Sequence, residues 1–218
     1  MSLLTLLDYA GVALFAATGA LAASRKELDL IGFLFFAAAT GVGGGTLRDL
    51  VLGQAPVFWV KDPTYLIICV GIGILVFLAA HRVEWRYRLL IWLDAIGLSA
   101  YSVMGAAKGL AITGSPTIAI VTGTMTATFG GILRDLIASE PSILLRPEIY
   151  VTAALAGAGA FTAAQLLGVP LPYSSAAGIV LAFGLRGGAI HYGWTLPRYR
   201  ARAGRPADEA MKKKQDQD

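Results

Sequence analysis

Seven apolar stretches, at about 3–23, 30–52, 64–80, 88–108, 114–138, 148–168 and 174–195, take up most of the chain's 218 positions. A helix needs about 20 apolar residues to cross a bilayer's hydrocarbon core. Each stretch is long enough, and the joins between them leave no room for a second folded unit. The expected fold is therefore an all-α membrane protein with seven transmembrane helices. Only 15% of residues are charged, against roughly 25% in soluble domains, and the mean hydropathy is +0.65. This excludes an ordinary water-soluble enzyme. Neither a nucleophile paired with a base nor a phosphate loop is present, so no enzymatic activity is expected. The single cysteine, Cys69, lies in an apolar run, and His81 and His191 stand alone near span ends. No metal site and no cofactor are expected.

Thirteen of the 18 Lys and Arg residues fall on one side of the alternating spans: Arg25 and Lys26, then Arg82, Arg86 and Arg88, then Arg146, then seven after Pro197. The other side carries Lys61 and Lys108, while Arg48, Arg134 and Arg186 lie within apolar stretches. Basic loops stay in the cytoplasm, which puts the N-terminus outside and the C-terminus inside, in a prokaryotic plasma (inner) membrane. Ala20 to Ala22 imitate a signal-peptidase site, but no basic n-region precedes them, so 3–23 reads as a mature span. The organisation expected is a membrane domain over 1–196 and a basic, disordered cytoplasmic tail over 197–218. Basic residues beside membrane spans point to lipid surfaces rather than nucleic acid.

An internal repeat organises the spans. Leu7, Asp8, Gly11, Gly19 and Ala20 recur 86 positions later as Leu93, Asp94, Gly97, Gly105 and Ala106. The same offset carries the run from Thr40 to Leu50 onto the run from Thr126 to Leu136, with seven identities in eleven positions. Repeat one covers about 3–80 and repeat two about 88–168, with a seventh helix at 174–195. Three spans per unit is an odd number, so the second copy enters the membrane from the opposite side. The repeats are inverted.

Paired Gly-Gly-x-x-Arg-Asp helices in two three-span repeats, followed by a seventh span, resemble the trimeric intracellular cation (TRIC) channel family in its prokaryotic branch. The resemblance covers about 3–195. It implies a homotrimer in which each subunit has its own pore between the repeats, conducting potassium and other monovalent cations such as sodium. The same bacterial family has also been described as containing glycine transporters, which makes a carrier for glycine or a similar amino acid the alternative.

Gly43, Gly44 and Gly45, with Gly130 and Gly131, sit inside the second and fifth spans, where each glycine costs about 1 kcal/mol of helix propensity. One reading is a break that opens backbone carbonyls to a water-filled path; the other is close helix packing. Recurrence before Arg-Asp in both repeats favours the break, with the hydroxyls of Thr40 and Thr126 beside it. Phe129 replaces the leading glycine in the second copy. Arg48 with Asp49, and Arg134 with Asp135, are charges in apolar surroundings that need partners. Depth along the spans brings Asp8 level with Arg48 and Asp94 level with Arg134. Because adjacent helix residues do not face each other, Arg48 is expected on Asp8 rather than on Asp49. Four aspartates against two arginines leave a formal charge of −2, which favours cations. Lys108 is read as closing the fourth span as a snorkelling anchor; the resemblance adds a voltage-responsive role for basic residues of that helix. Arg186 receives no defined role.

Overall fold

The computed structural model describes residues 3–82, 85–142 and 148–197; the basic tail and Arg146 lie outside them. The helices are α1 (Leu3–Arg25), α2 (Leu30–Val51), α3 (Phe58–Lys61), α4 (Thr64–Ala79), α5 (Arg86–Thr113), α6 (Pro116–Ile137), α7 (Val151–Leu166) and α8 (Leu171–Tyr192). Six of them are long and apolar enough to cross a membrane, counting a one-turn extension of α4 to Arg82, and the apolar α7 is a shorter seventh at 16 residues. The seven expected spans are thus present, with the short α3 as an addition between the second and third.

Local chemistry sets the helix ends. Asp29 caps α2 by accepting from the Gly32 N–H at 2.8 Å, while Ser115 caps α6 with Pro116 at its first turn. Gly114 and Gly193 close α5 and α8 in left-handed conformation, at φ of +65° and +70°. α5 continues past Lys108 to Thr113, so Lys108 does not close a span. Alternating apolar and small residues persist through Ala111 and Ile112, and nothing before Gly114 stops the helix.

α1, α2, α5 and α6 form the centre; α4 packs outside α1 and α2, α7 packs against α5 and α6, and α8 packs against α5 and α7. Residues 86 apart exchange roles across this centre. A Cβ on Gly11 would lie 2.1 Å from the Tyr101 ring, and one on Gly97 would lie 3.2 Å from the Phe15 ring. The Phe15 and Tyr101 rings, themselves repeat mates, are 5.3 Å apart. Likewise a Cβ on Gly44 would lie 2.2 Å from the Thr126 carbonyl oxygen, and one on Gly130 would lie 2.7 Å from that of Thr40. Reciprocal contacts of this kind are what a two-fold relation between two like units produces.

These contacts overturn the expected helix break. α2 and α6 run as unbroken helix through Gly43 to Gly45 and through Gly130 and Gly131. Gly44 and Gly130 instead bring two helix backbones together, as small residues do in membrane bundles, while Gly43, Gly45 and Gly131 make room for the side chains of Leu133, Phe58 and Tyr150. Thr126 turns its hydroxyl back to the Thr122 carbonyl at 2.6 Å, and Thr122, Thr124 and Thr128 do the same one turn back in α6, each at 2.8 Å. The buried Thr40 hydroxyl has no hydrogen-bond partner among the described residues.

Candidate functional site

Two layers of charge flank the α2–α6 crossing. In the layer that carries the Arg-Asp of repeat one, Arg48 and Asp49 are 0% and 1% exposed. The Arg48 Nε donates to Asp49 Oδ1 at 2.8 Å, and the Lys108 Nζ reaches the same oxygen at 2.9 Å. Asp49 Oδ2 accepts from the Phe58 N–H at 2.9 Å, which fixes the start of α3. Phe58 then covers the guanidinium, with its ring centroid 5.4 Å from Arg48 Cζ, and fills the space beside Gly45. Trp59 secures α3 through Nε1 to the Thr46 hydroxyl at 3.0 Å. Asp8 accepts from the Tyr65 hydroxyl at 2.9 Å. Outside the spans, Asp62 accepts from the Thr64 N–H at 3.0 Å and from the Tyr9 hydroxyl; these bonds, Thr64's first, hold its carboxyl below the usual carboxylate range.

The other layer is built differently. Arg134 donates from Nη1 to Asp94 Oδ1 at 2.8 Å and from Nε to Asp135 Oδ1 at 3.0 Å, so one guanidinium joins α5 to α6. Tyr150 lies beside Gly131 and Asp94, and its ring packs under Arg186 at 5.1 Å. Arg186 is 1% exposed and pairs with Glu148 at 2.9 Å, joining α8 to the segment before α7. The position that corresponds to Lys108 in repeat one is Ala22. There a cavity of about 20 Å³ is lined by Ala22, Arg134, Asp135 and Glu140, among others.

Two expectations change here. Arg48 bonds its neighbour Asp49 instead of Asp8. Successive residues on a helix diverge, but the Arg48 side chain is long enough to curl back beside its own backbone, and the Phe58 ring holds it there. Lys108 is not a snorkelling anchor: its side chain, 31% exposed, turns inward to Asp49. A buried carboxylate with two cations within 3 Å outweighs the pull of the interface. With Lys108 included, the seven groups sum to a formal charge of −1 rather than −2. The pairing of Arg134 with Asp94 is as the spacing required. The Arg48 Nη1 also donates to the Met104 Sδ at 3.2 Å, and nothing in local sequence pattern marks Phe58 as an aromatic cover, Glu148 as the partner of Arg186 or Met104 as a thioether acceptor.

A protein-family model described as "Glycine transporter" matches residues 5–81 and 91–165, the two repeats. A UPF0126 membrane protein of Vibrio cholerae is 38% identical over 202 residues, 91% of this chain and 83% of its own length. The UPF0126 inner membrane protein YadS of Escherichia coli K12 is also 38% identical, over 88% of this chain and 94% of its own. The crystal structure of the TRIC orthologue of Rhodobacter sphaeroides superposes with a TM-score of 0.87 at 50% identity, covering 89% of this chain and all of that one. The chain belongs to the prokaryotic TRIC channel family. A further TRIC cation channel structure, 28% identical, gives a TM-score of 0.82 over 93% of the chain. The architecture of this TRIC family member is therefore that of an integral membrane protein with inverted repeats.

Proposed function

We propose that the chain forms a homotrimeric, potassium-preferring monovalent cation channel of the inner membrane, with a path between the repeats of each subunit. The observation that supports this most is the pair of charge layers, both held in apolar helices at either end of the α2–α6 crossing and together net negative. A buried negative balance lowers the barrier to a cation and raises it to an anion. Gly43, Gly44, Gly45, Gly130 and Gly131, with Thr40 and Thr126, form the seam that any path between the layers must skirt. Backbone contact at Gly44 and Gly130 makes this a closed arrangement. The solved TRIC structures described as cation channels support the same reading. The family model's description favours a second one, a glycine carrier.

Recording from planar bilayers that hold the purified protein separates the two. The channel reading expects unitary currents under a potassium gradient, with chloride contributing little to the reversal potential. Saturable glycine uptake without unitary currents would replace it with the carrier.

Thirteen basic residues against two set the proposed orientation, with the repeat-one layer facing outward and the repeat-two layer facing the cytoplasm. A reporter fused after Asp218 is expected to be active only in its cytoplasmic form. Activity of a periplasm-dependent reporter at that point would reverse the assignment.

A further inference from the structure

The two repeat-mate arginines do not occupy equivalent positions. Arg134 reaches Asp94, the aspartate contributed by the first helix of its repeat, at 2.8 Å. Arg48 makes no such bond to Asp8. Its Nη1 donates to the Met104 Sδ at 3.2 Å, and its Nη2, although 2.8 Å from Asp49 Oδ1, has no aligned hydrogen bond. Asp8 Oδ1 is buried and has no partner among the described residues. A thioether is a weak acceptor and a carboxylate a strong one. The Arg48 Nη1 thus rests on a weak acceptor, while Asp8 accepts at Oδ2 from the neutral Tyr65 hydroxyl at 2.9 Å and has no cationic partner among the described residues. Lys108 explains why this is affordable. Its ammonium supplies Asp49 with a second cation, whereas Ala22 holds the corresponding place in the other layer and leaves Arg134 to serve both Asp94 and Asp135.

We propose that Asp8 is a binding site for a monovalent cation, uncovered here because Arg48 has withdrawn from it, and that Asp94 is the same site shut by Arg134. Each of the two repeat-mate carboxylates has one buried oxygen without a partner among the described residues, but Asp94 holds a guanidinium at 2.8 Å on its other oxygen where Asp8 holds only a neutral hydroxyl. A mobile cation replaces that guanidinium. By the two-fold relation the opposite state has Arg48 on Asp8 and Arg134 withdrawn from Asp94, so each arginine is a tethered cation that admits or excludes a mobile one at its own mouth. This rests on the channel reading for what the cation does next, but not for its binding.

Thermal unfolding of the purified full-length protein, in potassium chloride and in N-methylglucamine chloride of equal ionic strength, tests it. The wild-type midpoint is expected to rise with potassium. Asp8→Asn should raise the half-saturating potassium concentration by about tenfold or more, the loss of one good charge contact. Arg134→Met should add a second potassium-dependent rise, and Asp94→Asn in that background should remove it again. An unaltered potassium response in Asp8→Asn, or a wild-type response in Arg134→Met, overturns the proposal. If Asp8→Asn does not fold, Asp8→Glu and the Arg134→Met pair still decide. A protein that shows these shifts yet passes no current would remove the channel and keep the site. One that conducts with a potassium-insensitive midpoint would remove the site and keep the channel.

Discussion

Arg134→Met is expected to destabilise the folded protein by about 3–5 kcal/mol in potassium-free buffer, the cost typical of removing one member of a buried ion pair. The size follows from position: Arg134 is 3% exposed, and its guanidinium is the bond between α5 and α6 at that depth. Asp94 Oδ1 accepts from it, and Asp94 Oδ2 has no partner among the described residues, so the substitution leaves a buried carboxylate without its cation. Adding Asp94→Asn should recover more than half of the loss. A double-mutant cycle on the repeat mates, Arg48→Met with Asp8→Asn, should show much weaker coupling, since those two side chains do not bond. Equilibrium unfolding in mixed micelles reads both cycles. Equally strong coupling in the two layers would mean that Arg48 pairs with Asp8 after all, and an Arg134→Met protein as stable as wild type would mean that the ion pair across α5 and α6 is not formed.

The second large effect is expected at the helix crossing. A methyl group on Gly44 would sit 2.2 Å from the Thr126 carbonyl oxygen, and one on Gly130 would sit 2.7 Å from that of Thr40. Backbone oxygens at the centre of two unbroken helices cannot step aside as a flexible side chain can. The helices must separate, and overpacking of this kind costs about 1–3 kcal/mol per site. Alanine's better helix propensity returns about 1 kcal/mol, which leaves Gly44→Ala net destabilising and the Gly44→Ala/Gly130→Ala pair more so. Gly71→Ala is the control: its Cβ would meet nothing within 4 Å. That variant should be at least as stable as wild type. If all three behave alike, the crossing does not depend on the glycines.

How far the sequence carried the fold differs between features. Spans and repeat were readable because both depend on long-range regularity: apolar length measured against bilayer thickness, and identity at one constant offset. The Arg134 to Asp94 pairing was readable from depth alone, since two charges at the same level in an apolar medium have few alternatives. The glycines were misread. A glycine run that bends a helix and one that lets another backbone approach have the same local pattern, and only what lies opposite distinguishes them; Thr126 and Thr40 lie opposite. Arg48 was misread for a related reason. Spacing fixes where a Cβ points, but four rotatable bonds carry a guanidinium well away from that direction, and Phe58, ten residues on, decided where it stopped. Lys108 turned inward because its helix runs on to Thr113 instead of ending beside it.

The reciprocal glycine contacts have a consequence for the ancestry of such a chain. Repeat one carries Gly11 with Phe15 and Gly44 with Thr40, which is to say both sides of each exchanged contact. A half-length protein with that sequence would complement an upside-down copy of itself, provided that it inserted into the membrane both ways round. Joining the halves removes that requirement and lets the two mouths differ: Lys108 of repeat two reaches Asp49 in the repeat-one layer, whereas the corresponding position beside the repeat-two layer is Ala22.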